Sequence, residues 1–285
     1  MADTKPQHFK YSWEEAIEIL RRDPEHQELI YNAYLTDDLA GNCERFFSGA
    51  EFDCVKKILE QYAPGKRVLD MPAGNGIATY SLAKSGFEVV AVDPNPSATV
   101  GRGAIEKVLS GAGLHAEIVD AYGEGLPFPS DSFDAVYVRQ GLHHAANLPR
   151  MLQEIARVIK PDGILLACRE HVVDNYGESL QTFLDSQVDH QLYGGEHAFT
   201  LRDYRAAIAA SGLIMVNEMG PLDSAINMFP NSPEELHERI LRSAPGRLLR
   251  NFMQEQKVIK IALWWARRRS SPGRLYTFLA SKRAA

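Results

Sequence analysis

Cysteine is scarce in this chain. Cys43, Cys54 and Cys168 make an odd count with no CxxC pair, which argues against a disulfide framework and against a zinc ribbon. No apolar run approaches the roughly 20 residues needed to span a bilayer. The opening MADTKPQHFKYSWEEA lacks the apolar stretch of a secretory leader. Positive charge is not in excess either. Lys plus Arg is 31 against 37 for Asp plus Glu, a formal net charge of −6 at pH 7, so the chain is poorly suited to displacing counterions from nucleic acid. Internal repeats and low-complexity tracts are also missing. What remains is a 285-residue chain, 45% hydrophobic and 24% charged, with ample material for one large α/β domain or two small ones. A cytoplasmic protein of a reducing compartment is expected.

The middle of the chain alternates between two periods. KRVLDM (66–71), FEVVAVD (87–93), AEIVD (116–120), FDAVYVR (133–139) and GILLACRE (163–170) are short apolar runs, suited to strands buried on both faces of a parallel sheet. Helical patterns at 77–85, 96–110 and 147–159 separate them. A KPDG turn at 160–163 is expected to end the third helix and launch the fifth strand. A helix at 200–212, capped by Thr200 and closed by Gly212, precedes a strand at 213–219. The last strand candidate is RLYTFLASK (274–282). This pattern predicts a doubly wound, mostly parallel, seven-stranded α/β sheet of Rossmann-like type, its last strand antiparallel. Helices are expected before it, in residues 1–60. The core is assigned to 61–220 plus 274–285. A helical insertion at 221–273, with breaks at Pro230, Pro233 and Pro245-Gly246, is read as a substrate lid, and 171–199 as a second insertion.

The most informative segment is VLDMPAGNGIATYSLA (68–83). A strand runs into a small-residue turn and a helix starts at once, so a ligand can approach the backbone at Gly74 and Gly76. Beyond it Asp93 ends the second strand, where an acid can accept both hydroxyls of a ribose. A dinucleotide fingerprint needs a third small residue, but that position is Thr79. Asp70 also stands before the turn, unwelcome to a diphosphate and welcome to a ligand carrying an ammonium and a sulfonium. The turn therefore favours S-adenosylmethionine over NAD.

The strings VLDMPAGNG, AVDPNP, VDAYGEGLPFPSDSFDAVYVRQGLHH and LQEIARVIKPDGILLA resemble the class I S-adenosylmethionine-dependent methyltransferases, in the small-molecule subgroup with the LPF…FD, LHH and RVLKPGG pattern. The resemblance covers 66–170 strongly and 200–219 and YTFLASK more weakly. It implies that Asp70, Ala73, Gly74, Asn75 and Gly76 line the methionine end of the cofactor. It places the ribose hydroxyls on Asp93, the adenine beside Pro94 and Asn95, and the adenine amino group on Asp120 with Ala121 next to it. Gln140 would lie near the transferred methyl. Pro72 departs from the glycine more usual in the family and offers no N–H.

Methyl transfer is an in-line displacement in which alignment contributes up to about 7–11 kcal/mol, and a hydroxyl acceptor gains further from a general base. His144 and His171 are the first candidates for that base, with His143, Glu170, His190 and His197 behind them. All follow the carboxyl ends of strands, where open α/β sheets bind ligands. Donor-rich as 170–197 is, it contains no HxxxH or HExxH spacing, and no metal is expected. The insertions and the N-terminal helices are expected to roof the pocket, with Trp13, Tyr31 and Tyr34 available to cap the cofactor. The basic, aromatic segment 257–274 reads as a lid helix whose Arg267, Arg268 and Arg269 complement its C-terminal dipole; a membrane-facing surface is the alternative. Partners are expected to be small-molecule acceptors rather than nucleic acid, which the missing [DN]PPY-type tetrapeptide after strand four also disfavours. Methyl transfer to an oxygen is the leading reading. A cofactor-binding protein without transfer activity and an NAD-dependent oxidoreductase are the alternatives, and monomer or homodimer stays open.

Overall fold

The computed structural model describes residues 10–268 and 271–283, without the side chains at 267 and 268. The lid reading of Arg267, Arg268 and Arg269 therefore lies outside the described residues. Four helices precede the sheet: α1 (Trp13–Arg22), α2 (Gln27–Asn32), α3 (Leu39–Phe47) and α4 (Ala50–Tyr62). The first begins in a capping box, Ser12 accepting from the Glu15 N–H while the Glu15 carboxylate takes the Ser12 N–H.

The core follows as β1 (Arg67–Asp70), α5 (Ile77–Lys84), β2 (Glu88–Val92), α6 (Arg102–Ala112), β3 (Glu117–Val119), β4 (Phe133–Arg139), α7 (Leu148–Val158) and β5 (Ile159–Val173). After it come α8 (Glu178–Ser186), α9 (Val188–Tyr193), β6 (Phe199–Thr200), α10 (Leu201–Ala210) and β7 (Leu213–Met219). The 221–273 insertion holds α11 (Ala225–Met228), α12 (Pro233–Arg242), α13 (Ala244–Leu249) and α14 (Glu255–Arg268), before β8 (Arg274–Lys282) closes the sheet. No helix among the described residues is long and apolar enough to cross a membrane.

The sheet runs β3-β2-β1-β4-β5-β8-β7, with the two-residue β6 off this path against β5. The first five strands are parallel neighbours, and β8 is antiparallel to both β5 and β7. The seven-stranded, doubly wound expectation thus holds, with β6 as an addition too short to carry a periodic signal. On one face α7 and α10 bury Leu152, Ile155, Tyr204 and Ile208 against Val136, Val138 and Leu165. On the other, the N-terminal Phe46, Phe52, Val55 and Leu59 pack with Val68, Tyr137 and Leu166. Each such fully buried side chain contributes on the order of 1.5–3 kcal/mol.

Two local expectations are corrected. The helix expected over 96–110 starts only at Arg102. Asn95 Oδ1 accepts from the Ser97 N–H, and Ser97 Oγ from those of Thr99 and Val100, so side-chain bonds hold 95–100 in turns that compete with helix. The KPDG segment lies inside β5 rather than before it. Register moves from Phe133 opposite Ile159 to Ala135 opposite Ile164, and Asp162 takes a left-handed φ of 62°, so the four residues bulge out while pairing resumes on both sides.

Candidate functional site

At the carboxyl ends of β1, β2, β4 and β5 lies a cavity of about 470 Å³, with a second of about 190 Å³ beside it. Pro72, Pro94 and His144 border both. The expected residues Asp70, Ala73, Gly74, Asn75, Asp93, Pro94, Asn95 and Gln140 line the larger cavity. Ala121 lines the smaller with Tyr122, Met71 and Val92. Two expected residues line neither. Gly76, at φ 88°, lies so close to α6 that a Cβ there would meet Ile105 Cα at 3.1 Å; its role here is helix packing. Asp120 is largely exposed and pairs with Arg102 at 2.8 Å, and Arg102 also donates to the Asp93 carbonyl at 2.8 Å.

The two acids behind the turn are built differently. Asp93 Oδ2 accepts the Gly74 N–H at 2.7 Å and Oδ1 the Asn95 N–H at 2.9 Å. The turn and the end of the second strand are therefore one hydrogen-bonded unit. Burial raises Asp93 to about 6, against those two bonds. Asp70 is 1% exposed and takes a hydrogen bond of 2.6 Å from Thr79. Among the described residues no cation pairs with it, and burial pushes it up to about 7. Thr79 thus does more than break a dinucleotide pattern: its hydroxyl orients the acid. A buried carboxylate facing a cavity with a hydroxyl as its side-chain hydrogen-bond partner suits a cationic ligand.

The far wall of the larger cavity carries His143, His144, His171, Gln187, Asp189, Tyr193 and Glu196. Its scaffold is Glu170, fully buried where the β5–β8 register shifts between Ala167 and Glu170. Glu170 accepts the N–H groups of Gly141, Leu142 and His143 at 3.0, 3.1 and 3.0 Å, and bonds His143 Nδ1 at 2.8 Å. Gln140 and Arg169, both left-handed at φ 50° and 61°, turn the chain so that these groups meet. Glu170 is therefore spent on structure and lines neither cavity. Burial works against the His143 imidazolium, but Glu170 and Glu196 overrule it and hold the ring at about 9. Burial works against the Glu196 carboxylate, but the His143 imidazolium, 3.6 Å from its Oε2, drives it down to about 2. Burial and then the Glu196 charge lift Asp189 to about 6.

His144 and His171 differ from His143. His144 Nδ1 lies 3.0 Å from the Gly195 carbonyl and His171 Nδ1 3.0 Å from that of Gly273. Nδ1 must donate to a carbonyl, which leaves Nε2 of each neutral ring as the acceptor. Burial and then the His143 charge lower both, His171 to about 4. Of the remaining candidates, His197 stacks on Tyr176 and packs edge-on to Phe199, and neither it nor His190 lines either of these two cavities.

The roof comes from two places. Trp13 of α1 packs on Tyr193 of α9 at 4.7 Å, and Leu29, Ala33 and Leu35 add to the lining. Asn75 Nδ2 donates to the Tyr34 carbonyl at 2.6 Å, tying the N-terminal segment to the turn. Tyr34 itself is core, and Tyr31 lies exposed under Arg45. Among the described residues, the 221–273 insertion contributes no lining residue to either cavity. Its start packs against Tyr34 and Arg169 through Phe229, and α12, α13 and α14 pack on one another. Sequence reasoning missed Arg139, which lines the cavity and whose guanidinium binds Glu51 at 2.7 and 3.1 Å and donates to Gln140 at 3.0 Å. A lone arginine at a strand end carried no signal.

Residues 69–167, about a third of the chain, match the family model of a methyltransferase domain. Over 105 residues the chain is 43% identical to a demethylmenaquinone methyltransferase of Mycobacterium bovis (strain BCG / Pasteur 1173P2), covering 37% of this chain and 41% of that protein. The chain thus spans about two fifths of the length of the curated relatives it matches. Its fold is similar to that of phosphoethanolamine N-methyltransferase 2 of Haemonchus contortus, solved with phosphomonomethylethanolamine and S-adenosylhomocysteine (TM-score 0.57, 18% identity, 96% of this chain and 61% of that one). It is also similar to that of the cyclase SpnF (TM-score 0.55, 17% identity, 82% and 81%).

Proposed function

We propose that this chain, whose 69–167 segment is a methyltransferase domain in the fold of the class I S-adenosylmethionine-dependent methyltransferases, is an enzyme that transfers a methyl group from S-adenosylmethionine to an oxygen of a small molecule. The observation that carries the reading is Asp70: buried, on the cavity wall, oriented by Thr79 and unpaired with any cation among the described residues. An ammonium and a sulfonium suit such an acid; a pyrophosphate does not. Asp93 would accept the ribose hydroxyls. Pro94, Ala121 and Tyr122 would flank the adenine in the smaller cavity, and Ala73, Gly74, Asn75 and Gln140 would border the methionine end. Asp120 would have to leave Arg102 to reach an adenine amino group.

Bound there, the cofactor supplies an electrophilic methyl on a sulfonium. The work of this chain is to align the acceptor, to exclude water under α1, α2 and α9, and to take the acceptor's proton. His144 is the proposed base. Its Nε2 is free to accept, the ring borders both cavities, and Glu196 Oε1 lies 3.8 Å away to stabilise the imidazolium that forms. His171, presenting a neutral Nε2, would receive a hydrogen bond from the acceptor and orient it.

A labelled-methyl transfer assay over hydroxyl, amine and carbon acceptors, demethylmenaquinone included, tests this. Label in a hydroxyl acceptor is expected. Saturable cofactor binding with no label in any acceptor would instead favour a binding protein without transfer activity, a reading that likeness to a cyclase keeps in view.

A further inference from the structure

We infer that the acceptor end of the cavity is a binding site for a divalent transition-metal cation, held by His143, His171 and Glu196. Each of the three can offer one ligand atom, and these atoms all lie within 4.8 Å of one another. They come from three separate places: the turn after β4, the end of β5 and the loop after α9. That is why no HxxxH or HExxH spacing announces them.

The strongest observation is what holds the ligands from behind. Metal-bound histidines characteristically give their second ring nitrogen to a carboxylate or a backbone carbonyl, which fixes the ring and its tautomer. His143 Nδ1 is held by the Glu170 carboxylate at 2.8 Å, and Glu170 is itself fixed by three backbone N–H groups. His171 Nδ1 is held by the Gly273 carbonyl at 3.0 Å. In both rings Nε2 is the atom left over. Glu196 Oε1 accepts from the Tyr193 hydroxyl at 3.0 Å, while Oε2 stands 3.6 Å from His143 Nε2. Two ligands of a tetrahedral ion bonded at about 2.0–2.1 Å lie about 3.3 Å apart, so that edge is nearly formed.

Two imidazoles and one carboxylate suit Zn²⁺, Co²⁺, Fe²⁺ or Mn²⁺ better than Mg²⁺ or Ca²⁺. All three ligands line the cavity, so the remaining coordination positions open toward whatever lies in it. Binding needs neither cofactor nor acceptor, and with the ion in place the acceptor would meet the ion instead of His171 Nε2.

The full chain, stripped with a chelator, is titrated with Co²⁺ alone and followed by visible absorption, calorimetry and histidine NMR. The expected result is one equivalent bound, paramagnetic broadening of the His143 and His171 ring signals, and displacement by Zn²⁺. His171→Ala and Glu196→Gln should each weaken binding at least ~100-fold, and His115→Ala, at an exposed site elsewhere, should not change it. Absence of binding at millimolar Co²⁺, binding without broadening of those two rings, or binding unchanged in both variants would overturn the assignment. S-adenosylmethionine titrated into the same stripped protein reads the cofactor site separately, so one proposal can fail without the other.

Discussion

The two ends of the cavity, the proposed cofactor end and the proposed acceptor end, are made by different means. The cofactor end is assembled from 68–76 and 91–95, adjacent strands and the turns that follow them, and much of its geometry is backbone: the Gly74 and Asn95 N–H groups on Asp93, the Ala73 N–H on the Val92 carbonyl. The acceptor end is assembled from side chains of 139–144, 170–171 and 187–196, with Gly273 reaching in from the other end of the chain. A backbone site constrains residue type at short spacing and leaves a motif. A side-chain site joined by tertiary packing leaves scattered histidines and acids with no period between them.

Variants at the two ends should separate accordingly. The largest effect is expected at the acceptor end: His144→Ala should lower kcat about 10²–10⁴-fold, the usual range for a general base, with cofactor affinity nearly unchanged. Single-turnover kinetics check this, and a variant that loses affinity while keeping kcat would merge the two ends. At the cofactor end, Asp93→Ala removes the proposed acceptor of two ribose hydrogen bonds and the anchor of the turn. Cofactor affinity should fall about 100-fold by calorimetry.

Asp70 sharpens the contrast through pH. Its folded value, about 7, lies above the ordinary 3.8. In the free protein its stability contribution is therefore full below about 4 and is lost as pH rises to about 7. A cationic ligand reverses the preference. Affinity should fall about tenfold per unit below pH 7 and level off above it. Asp70→Asn should flatten that profile and raise the melting temperature of the free protein at pH 8, as read by calorimetry. The smallest effect is expected outside both ends. Trp265→Ser, on exposed α14, should shift stability by no more than about 0.5 kcal/mol and leave cofactor affinity and kcat unchanged. A change in KM would return the 221–273 insertion to the role of a lid.

Legibility in the sequence follows the same division. The seven strands were readable because β-branched runs such as FEVVAVD and FDAVYVR alternate with periodic helices, and the grouping of Asp70, Gly74 and Asp93 on one cavity because they fall at fixed places around one turn. Asn95 and Ser97 delayed α6 through local bonds that periodicity does not register. Gly76 was read from the turn and Asp120 from the resemblance, and here one packs against a helix and the other pairs with Arg102. At the acceptor end His143, His144 and His171 were visible as candidates, but their division of labour depends on Glu170, Glu196 and Gly273, neighbours only after folding. Both insertions follow the carboxyl ends of strands, yet among the described residues only 171–199 lines the cavity, the other touching it from behind through the Gly273 carbonyl on His171.

Isothermal titration of the free protein with S-adenosylmethionine and with NAD at pH 7.5 tests the central claim most directly. Saturable one-to-one heat with the sulfonium nucleoside and none with the dinucleotide is the predicted result. Heat with NAD alone would contradict the reading of Asp70 and of the turn built around it.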